Sequence, residues 1–194
     1  YRLTDTAGGR FAIDSSTGQI TVADGRLLNY ESATSHSVTV RVTDSGGLTY
    51  DETFTINLTN VNEVPTALAL SANTVAENAA NSTVVGTAST IDPDTGGIHT
   101  YQLTDTAGGR FAINANTGVI TVADGRLLNY ERAMSHSVTV RVTDAGGLTH
   151  DQTFTIALTD VAEASPRQSL PGSLVPIAPT SGPGSSGPLS SSTG

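Results

Sequence analysis

The chain repeats itself with a period of 100 residues. Residues 1–60 align with residues 101–160 without a gap, and 48 of the 60 aligned positions are identical. An array of near-identical copies lengthens a chain, whereas a catalytic domain rarely gains from an adjacent copy of itself. Residues 66–100 have no counterpart before Tyr1. We therefore predict the C-terminal part of one repeat over 1–63 and a complete repeat over 64–163.

Within each copy, apolar residues recur with a period of two. Val138, Val140 and Val142 alternate with threonine and arginine, and residues 154–158 follow the same alternation. Valine and threonine are β-branched and favour strands. The pattern therefore predicts strands with one buried face, as in an antiparallel sheet that is half covered.

Turn-forming Asn, Asp and Gly residues divide the complete repeat into seven such segments. The predicted strands lie near residues 67–75, 82–90, 98–104, 110–114, 119–123, 135–143 and 150–159. Seven short strands in one repeat predict an all-β fold of tandem, immunoglobulin-like Greek-key β-sandwiches. The predicted core also includes Phe111, Ile113, Ile120, Val122, Leu127, Leu128 and Tyr130.

The composition changes after the second copy. Residues 167–194 contain 8 Ser, 5 Gly and 5 Pro, which is 18 of 28 residues. Such a segment cannot bury enough apolar surface to offset the entropy lost on ordering. We predict a disordered segment over 164–194, either a flexible linker or stalk or an unstructured C-terminal end.

Charge and cysteine content exclude several functions. The chain has 18 acidic residues, 9 arginines, no lysine and a net charge of −9, which argues against nucleic acid or an anionic membrane as partner. With no cysteine there is no disulfide, no cysteine-based zinc site and no thiol nucleophile. No apolar run reaches the ~18 residues of a membrane span. Because the first residue is Tyr1, we expect any targeting signal to lie upstream.

Acidic and amide side chains cluster where the predicted strands end. Around the junction of the two copies they occur at residues 29–31, 60–63, 92–94 and 144. Calcium is a hard cation that takes 6–8 oxygen ligands from carboxylates, amide side chains and backbone carbonyls. A junction rich in Asp, Glu and Asn, without His or Cys, favours calcium over zinc or copper.

Five short motifs give the repeat a resemblance to a known family. They are residues 76–78 (Ala-Glu-Asn), 92–94 (Asp-Pro-Asp), 128–131 (Leu-Asn-Tyr-Glu), 144–146 (Asp-Ala-Gly) and the linker 60–65 (Asn-Val-Asn-Glu-Val-Pro). Their order and spacing resemble the cadherin repeat in its bacterial cadherin-like form. The resemblance covers about residues 1–164, and the first copy carries the later motifs.

The resemblance implies a calcium site at the junction between successive repeats. The first repeat, the linker and the second repeat would all donate ligands there. The implied junction ligands are Asn29, Glu31, Asn60, the carbonyl of Val61, Asn62, Glu63, Asp92, Asp94 and Asp144. At the far end of the second copy, the implied ligands of a weaker half-site are Glu77, Glu131, Asp160 and Glu163.

Some positions depart from the family pattern. Asn29 and Asn60 stand where the family usually has Asp, and the linker is one residue shorter than the common vertebrate form. Each lost charge should weaken binding, so we expect fewer or weaker ions than the three typical of the family. Ala162 replaces the linker asparagine after the second copy, which predicts that this copy is the last of its array.

Other polar residues are predicted to have structural roles. Asp14 and Asp24 lie in turn sequences, where an aspartate bonds its own backbone. The four histidines, which are predicted to be surface or partly packed residues, lie in no nucleophile motif. They are His36, His99, His136 and His150. We predict no catalytic residue, no organic cofactor and no enzymatic activity.

Three functions in different classes remain open. The first is a calcium-stiffened, extracellular or cell-surface adhesin, anchored through a segment outside this sequence. Its partners would be calcium, adjacent repeats, and the same protein on a neighbouring cell or another surface ligand. The second is a carbohydrate-binding module, which 5 Tyr, 4 Phe and no Trp support poorly. The third is a non-catalytic spacer of a secreted enzyme.

Overall fold

The structure, a computed structural model, describes residues 1–163. One compact unit runs from Tyr1 to Val161. The predicted disordered segment 164–194 lies outside the described residues. Within residues 1–163 the helices are two single turns of 3-10 helix, and neither is long or apolar enough to cross a membrane.

The first copy forms two small antiparallel sheets. One has the strand order β1-β4-β5, and the other is the hairpin β2-β3. A turn of 3-10 helix, Gly25–Leu27, follows β3. The strands are β1 (Arg2–Asp5), β2 (Phe11–Ile13), β3 (Ile20–Val22), β4 (Ser35–Thr43) and β5 (Thr49–Asn57).

The second copy contains two four-stranded sheets. Their strand orders are β10-β11-β8-β6 and β7-β13-β12-β9, and β7 pairs with β13 in parallel. The other pairings are antiparallel. The strands are β6 (Ala67–Leu70), β7 (Thr74–Ala76), β8 (Val84–Ile91), β9 (Thr100–Asp105), β10 (Phe111–Ile113), β11 (Val119–Val122), β12 (Ser135–Thr143) and β13 (Thr149–Thr159). The predicted all-β sandwich is confirmed.

The first predicted strand, 67–75, is in fact two strands in different sheets. The chain breaks after Leu70 and resumes at Thr74. At the break, Ala72 passes directly over Gly86, where a Cβ would overlap the carbonyl oxygen of Ala72. A single strand can join only one sheet, so this crossing lets one segment cover both edges of the sandwich.

The core lies between the two sheets of the second copy. Val138, Val140 and Val142 of β12 are fully buried, as the period of two predicts. Phe111, Ile120, Val122 and Leu128 are also buried, whereas Ile113 and Tyr130 are partly buried against them. Leu127 is 39% exposed, so its predicted core position is wrong. It ends the 3-10 helix Gly125–Leu127, whose tight turn directs Leu128 inward in its place.

The same apolar face is open in the first copy. Val22 is 55% exposed, whereas its counterpart Val122 is 1% exposed. Phe54 is 44% exposed, but Phe154 packs against the core. In the second copy these faces are covered by β6, β7 and β8, and the described part of the first copy has no equivalent of those strands.

Gly25 and Gly125 occupy equivalent positions in the two copies, and the space around each shows how closely β6–β8 and their loops cover the second copy. A Cβ on Gly125 would overlap the carbonyl oxygen of Ala79, whereas the nearest atom to a Cβ on Gly25 is a methyl of Val22 at 3.9 Å. Neither glycine has a positive φ. We expect Gly125→Ala to destabilise the second copy by about 1–3 kcal/mol, because the backbone of Ala79 must move.

Thermal unfolding followed by circular dichroism measures this difference. Gly25→Ala is the matched control and should change the stability by less than about 0.5 kcal/mol. Equal losses in the two variants would contradict close packing of Ala79 on Gly125.

Candidate metal centre at the repeat junction

The junction is built from residues that follow the ends of strands. The linker 58–66 runs from β5 to β6. Asp92 and Asp94 follow β8, and Asp144 follows β12. The opposing sheets of the second copy therefore bring these two loops to the end of the sandwich that meets the linker.

Asp94 connects the linker to the second copy. Its Oδ1 accepts a hydrogen bond from Nδ2 of Asn60 at 2.8 Å, and its Oδ2 accepts one from the backbone N–H of Glu63 at 2.8 Å. These two bonds, with the Glu63 N–H as the larger effect, hold the pKa of Asp94 below its ordinary value. Asp94 is therefore an ionised carboxylate at neutral pH.

Asp144 makes a second connection to the linker. It is buried, and its Oδ2 accepts a hydrogen bond from Nδ2 of Asn62 at 2.9 Å. Burial acts to raise its pKa, but hydrogen bonds from Asn62 and from backbone N–H groups such as that of Leu148 outweigh burial and lower the pKa overall. A second ionised carboxylate therefore lies under the linker.

Gly146 leaves the space that Asn62 occupies. A Cβ at this glycine would lie 2.5 Å from both Cγ and Nδ2 of Asn62. This requirement was not visible in the sequence, because the Asp-x-Gly-Gly turn at 144–147 is explained equally well by its turn geometry.

Three carboxylates converge at the junction. One oxygen from each of Glu31, Glu63 and Asp94 lies within 4.8 Å of the others. Glu31 belongs to the first copy, Glu63 to the linker and Asp94 to the second copy. The group therefore draws one acid from each of the three segments that the sequence predicted.

Glu63 is the carboxylate of this group whose negative charge is least stabilised. Burial raises its pKa, and the negative charges of Glu31, Asp94 and Asp92 raise it further. Its Oε2 is buried without a hydrogen-bond partner among residues 1–163. A buried carboxylate oxygen of this kind is costly unless a proton or a cation compensates it.

Asp92 lies beside the group and is engaged by a histidine. Its Oδ1 accepts a hydrogen bond from the backbone N–H of Asp94 at 3.0 Å, and its Oδ2 lies 2.7 Å from Nε2 of His99. Sequence reasoning placed His99 only as a surface or partly packed residue. The seven-residue spacing between Asp92 and His99 gave no signal, because the intervening loop has no regular period.

Asn29 and the backbone carbonyl of Val61 are the remaining predicted ligands of the junction. Oδ1 of Asn29 accepts a hydrogen bond from the backbone N–H of Ser32 at 2.6 Å, which makes Asn29 a turn residue. The side chain of Val61 is 69% exposed. Asp14 and Asp24 also accept bonds from their own turns, from Ser16 and Arg26 respectively.

A second acidic group lies at the far end of the second copy. Glu77 is 2% exposed, and its two oxygens accept bonds from the backbone N–H of Tyr130 at 2.9 Å and of Val161 at 3.0 Å. These bonds, led by that from Tyr130, lower the pKa of Glu77. One carboxylate oxygen of Glu131 lies within 4.8 Å of one of Glu77. Glu163 follows Val161 and lies outside this compact unit.

The donors of the junction suit a hard cation. The atoms that converge are carboxylate oxygens, and the amides of Asn60 and Asn62 donate N–H bonds to the aspartates. The chain has no cysteine. Three carboxylates from three segments, one of them with an unsatisfied oxygen, fit calcium better than a soft metal.

The fold and the junction together define a β-sandwich repeat with acidic groups at its strand ends. Residues 72–159 match the family model described as the cadherin domain. Residues 72–159 therefore form a cadherin domain, and residues 1–60 are identical to residues 101–160 at 48 of 60 positions. Cadherin repeats are extracellular modules of calcium-dependent adhesion proteins, and the family is not one of enzymes.

Similar proteins are much longer than this chain. It is 33% identical over 162 residues to human Cadherin-related family member 2, which covers 80% of this chain and 12% of the relative. It is 33% identical over 178 residues to mouse Cadherin-23, which covers 86% of this chain and 5% of that protein. The crystal structure of mouse Cadherin-23 EC22–24 matches with a TM-score of 0.60 and 25% identity, over 79% of this chain and 51% of that one.

A second pair of equivalent glycines, Gly46 and Gly146, provides a test of the contact between Asn62 and Asp144. We expect Gly146→Ala to displace the amide of Asn62 from Asp144 and to lower the free energy of unfolding by about 1 kcal/mol, the worth of one hydrogen bond. In the first copy the nearest atom to a Cβ on Gly46 is Oδ1 of Asp44 at 3.3 Å, so Gly46→Ala is the matched control.

Denaturant unfolding in chelator measures both losses. In an Asn62→Ala background the effect of Gly146→Ala should shrink, because the displaced amide is already gone. An unchanged effect in that background would show that Asn62 is not the group that Gly146 accommodates.

Proposed function

We propose that the junction of the two copies binds calcium and that the chain is part of an extracellular, calcium-stiffened adhesion protein. Repeats would extend over 1–63 and 64–163, followed by a linker or tail over 164–194. The ligands would come from Glu31 of the first copy, from the linker, and from the two aspartate loops of the second copy.

The carboxylate group of Glu31, Glu63 and Asp94 carries this proposal. Their oxygens lie within 4.8 Å of one another, and Oε2 of Glu63 has no hydrogen-bond partner among the residues described. Calcium supplies the positive charge that such a group lacks, and it takes carboxylate oxygens as ligands. Asn60, Asn62, Asp92 and Asp144 would complete the site, with Asn29 and the Val61 carbonyl as further candidates.

Charge explains how binding would change the junction. Without a cation, the raised pKa of Glu63 reflects its burial and its repulsion by Glu31, Asp94 and Asp92. Repulsion between segments favours geometries in which they separate. Bound calcium replaces this repulsion with attraction to all three segments, so the two repeats would be held at a fixed angle.

The affinity should suit extracellular calcium. Extracellular modules bind calcium with dissociation constants of about 10⁻⁴–10⁻³ M. Asn29 and Asn60 contribute no charge, and Asn29 is held in a turn. We therefore propose fewer or weaker ions than the three typical of cadherins.

The far acidic group would be a weaker half-site. Both oxygens of Glu77 already accept backbone hydrogen bonds, which stabilise its charge without a cation. Glu131, Asp160 and Glu163 would supply the remaining oxygens. The main role of Glu77 is therefore structural, because its hydrogen bonds connect the end of β7 to Tyr130 and Val161.

Thermal melting of the chain with and without calcium tests the site. We expect about 5 mM calcium to stabilise the chain by about 1–2 kcal/mol relative to chelator, because calcium binds only the folded junction. Magnesium should have a smaller effect, since it demands a tighter octahedral geometry.

Two matched substitutions locate the effect. Glu31→Gln removes a junction carboxylate and should abolish most of the calcium gain, whereas Glu131→Gln alters the same motif at the far group and should retain it. Glu63→Gln should raise the melting temperature in chelator, because it removes a repelled charge, and should also lose the calcium gain. Identical melting in calcium and chelator would refute the junction site.

The adhesive function needs a separate measurement. Beads coated with the chain should aggregate in calcium and disperse in chelator if the repeats bind one another, and Glu31→Gln should abolish aggregation. Dispersed beads in both buffers, together with normal calcium stabilisation, would leave a heterophilic ligand or a spacer role in a larger secreted protein.

A further inference from the structure

The second copy contains a basic pocket in an otherwise acidic protein. Its volume is about 200 Å³, and its lining includes three of the 9 arginines of the chain. The lining residues include Arg110, Arg126, Leu127, Asn129, Arg132 and His136. Neither the calcium junction nor the sandwich core accounts for this concentration of positive charge.

Arg110 lines the pocket with a guanidinium group that hydrogen bonds hold in place. Its Nε donates to the carbonyl of Leu127 at 3.0 Å, and its Nη1 donates to the carbonyl of Ala107 at 2.6 Å. A guanidinium has five N–H donors, so these bonds hold the group in place and leave other donors available. Because both partners are neutral carbonyls, the charge of Arg110 is not compensated by them.

Arg126 contributes less net charge. Its Nε and Nη2 donate to the two carboxylate oxygens of Asp124 at 3.0 and 2.9 Å. This bidentate pair neutralises Arg126 and fixes its orientation. The neighbouring carboxylate of Glu131 belongs to the acidic group around Glu77.

Arg132 is the free charge of the pocket. Its backbone N–H donates to Oδ1 of Asn129 at 2.8 Å, but its guanidinium makes no hydrogen bond or ion pair within residues 1–163. The side chain is exposed and can reach a ligand at the pocket mouth. With Arg110, it gives the pocket two positive charges that no carboxylate contacts.

His136 adds an unsatisfied polar atom. Its Nε2 is buried and has no hydrogen-bond partner in the described part of the chain. The ring packs against Phe111 with centroids 6.4 Å apart, which fixes its plane. The equivalent Nε2 of His36 is also unpartnered among residues 1–163, so the scaffold of both copies offers a buried ring nitrogen at this position.

The first copy provides a natural comparison. The residues equivalent to the lining are identical in the two copies except at one position, where the first copy has Ser32 and the second has Arg132. Arg10 makes the same two carbonyl bonds as Arg110, at 2.8 Å each. The scaffold of the pocket is therefore repeated, and one substitution supplies its free charge.

We propose that this pocket of the second copy binds an oxyanion, a sulfate or carboxylate group, held by Arg132 and Arg110 with His136 as a third contact. Guanidinium groups bind such oxyanions with charge-assisted, often bidentate hydrogen bonds. The volume admits one such group rather than an extended chain. The group is either a free inorganic ion or a substituent of an acidic polysaccharide.

Titration of the isotope-labelled chain with sodium sulfate, followed by NMR, tests the site. Sodium chloride at equal ionic strength is the control for screening. Sulfate should cause saturable shifts at the side chains of Arg110, Arg132 and His136. Arg132→Ser should weaken binding by about tenfold or more, because it removes charge-assisted hydrogen bonds.

The substitution Arg132→Ser recreates the residue of the first copy, so the fold should be retained, as an unchanged melting temperature would verify. The reciprocal Ser32→Arg should create saturable shifts at Arg10 and His36 of the first copy. Shifts that chloride reproduces, or sulfate binding unaffected by Arg132→Ser, would overturn the proposal.

A second titration distinguishes the two sources of the anion. A sulfated oligosaccharide that binds more tightly than inorganic sulfate, with the same sensitivity to Arg132→Ser, would identify a polysaccharide ligand. Equal or weaker binding would identify a site for the free ion. A neutral oligosaccharide of the same length should not bind, and its binding would show that charge is not what the pocket recognises.

Discussion

The fully buried face of β12 is the constraint on which the second copy depends. Val138, Val140 and Val142 lie between two sheets, and each is inaccessible to water. Burying a valine side chain contributes roughly 1.5–3 kcal/mol, so the sheets must face each other in one register. That register determines where the strands end, and the ends of β8 and β12 carry Asp92, Asp94 and Asp144. The geometry of the acidic junction is therefore a consequence of apolar packing.

Apolar packing also brings together charges that repel one another. Asp94 and Asp144 are stabilised as anions by hydrogen bonds from the linker, whereas Glu63 lies among carboxylates with a raised pKa and an unsatisfied oxygen. The linker is thus attached to the second copy by bonds that favour negative charge, and it carries a glutamate that this same charge destabilises. In the calcium site proposed above, a divalent cation would offset the negative charge that surrounds Glu63.

The two copies act as internal controls for each other. They share 48 of 60 aligned residues, yet Val122 is buried and Val22 is exposed. The difference arises from β6, β7 and β8, which cover the second copy, and not from the shared residues. Conversely, the difference between Ser32 and Arg132 changes the charge of a pocket whose remaining lining is the same. The near-identical residues therefore form the same scaffold in both copies, while neighbouring segments and single exposed residues change its burial and its charge.

The repeat, the strands, most of the core and the acidic segments of the junction could be predicted from the sequence, because alternation and turn residues are local signals. It did not determine the break between β6 and β7, the exposure of Leu127, or the contacts of His99 with Asp92 and of Gly146 with Asn62. Residues 62 and 146 are far apart in the chain, and no local period encodes their approach. Which of the predicted oxygens meet depends on the tertiary fold, because two sheets must pack before their loops share one end. It likewise decided that Arg110, Arg132 and His136 line one pocket, since their proximity depends on how the 3-10 helix and the loop before β12 fold together.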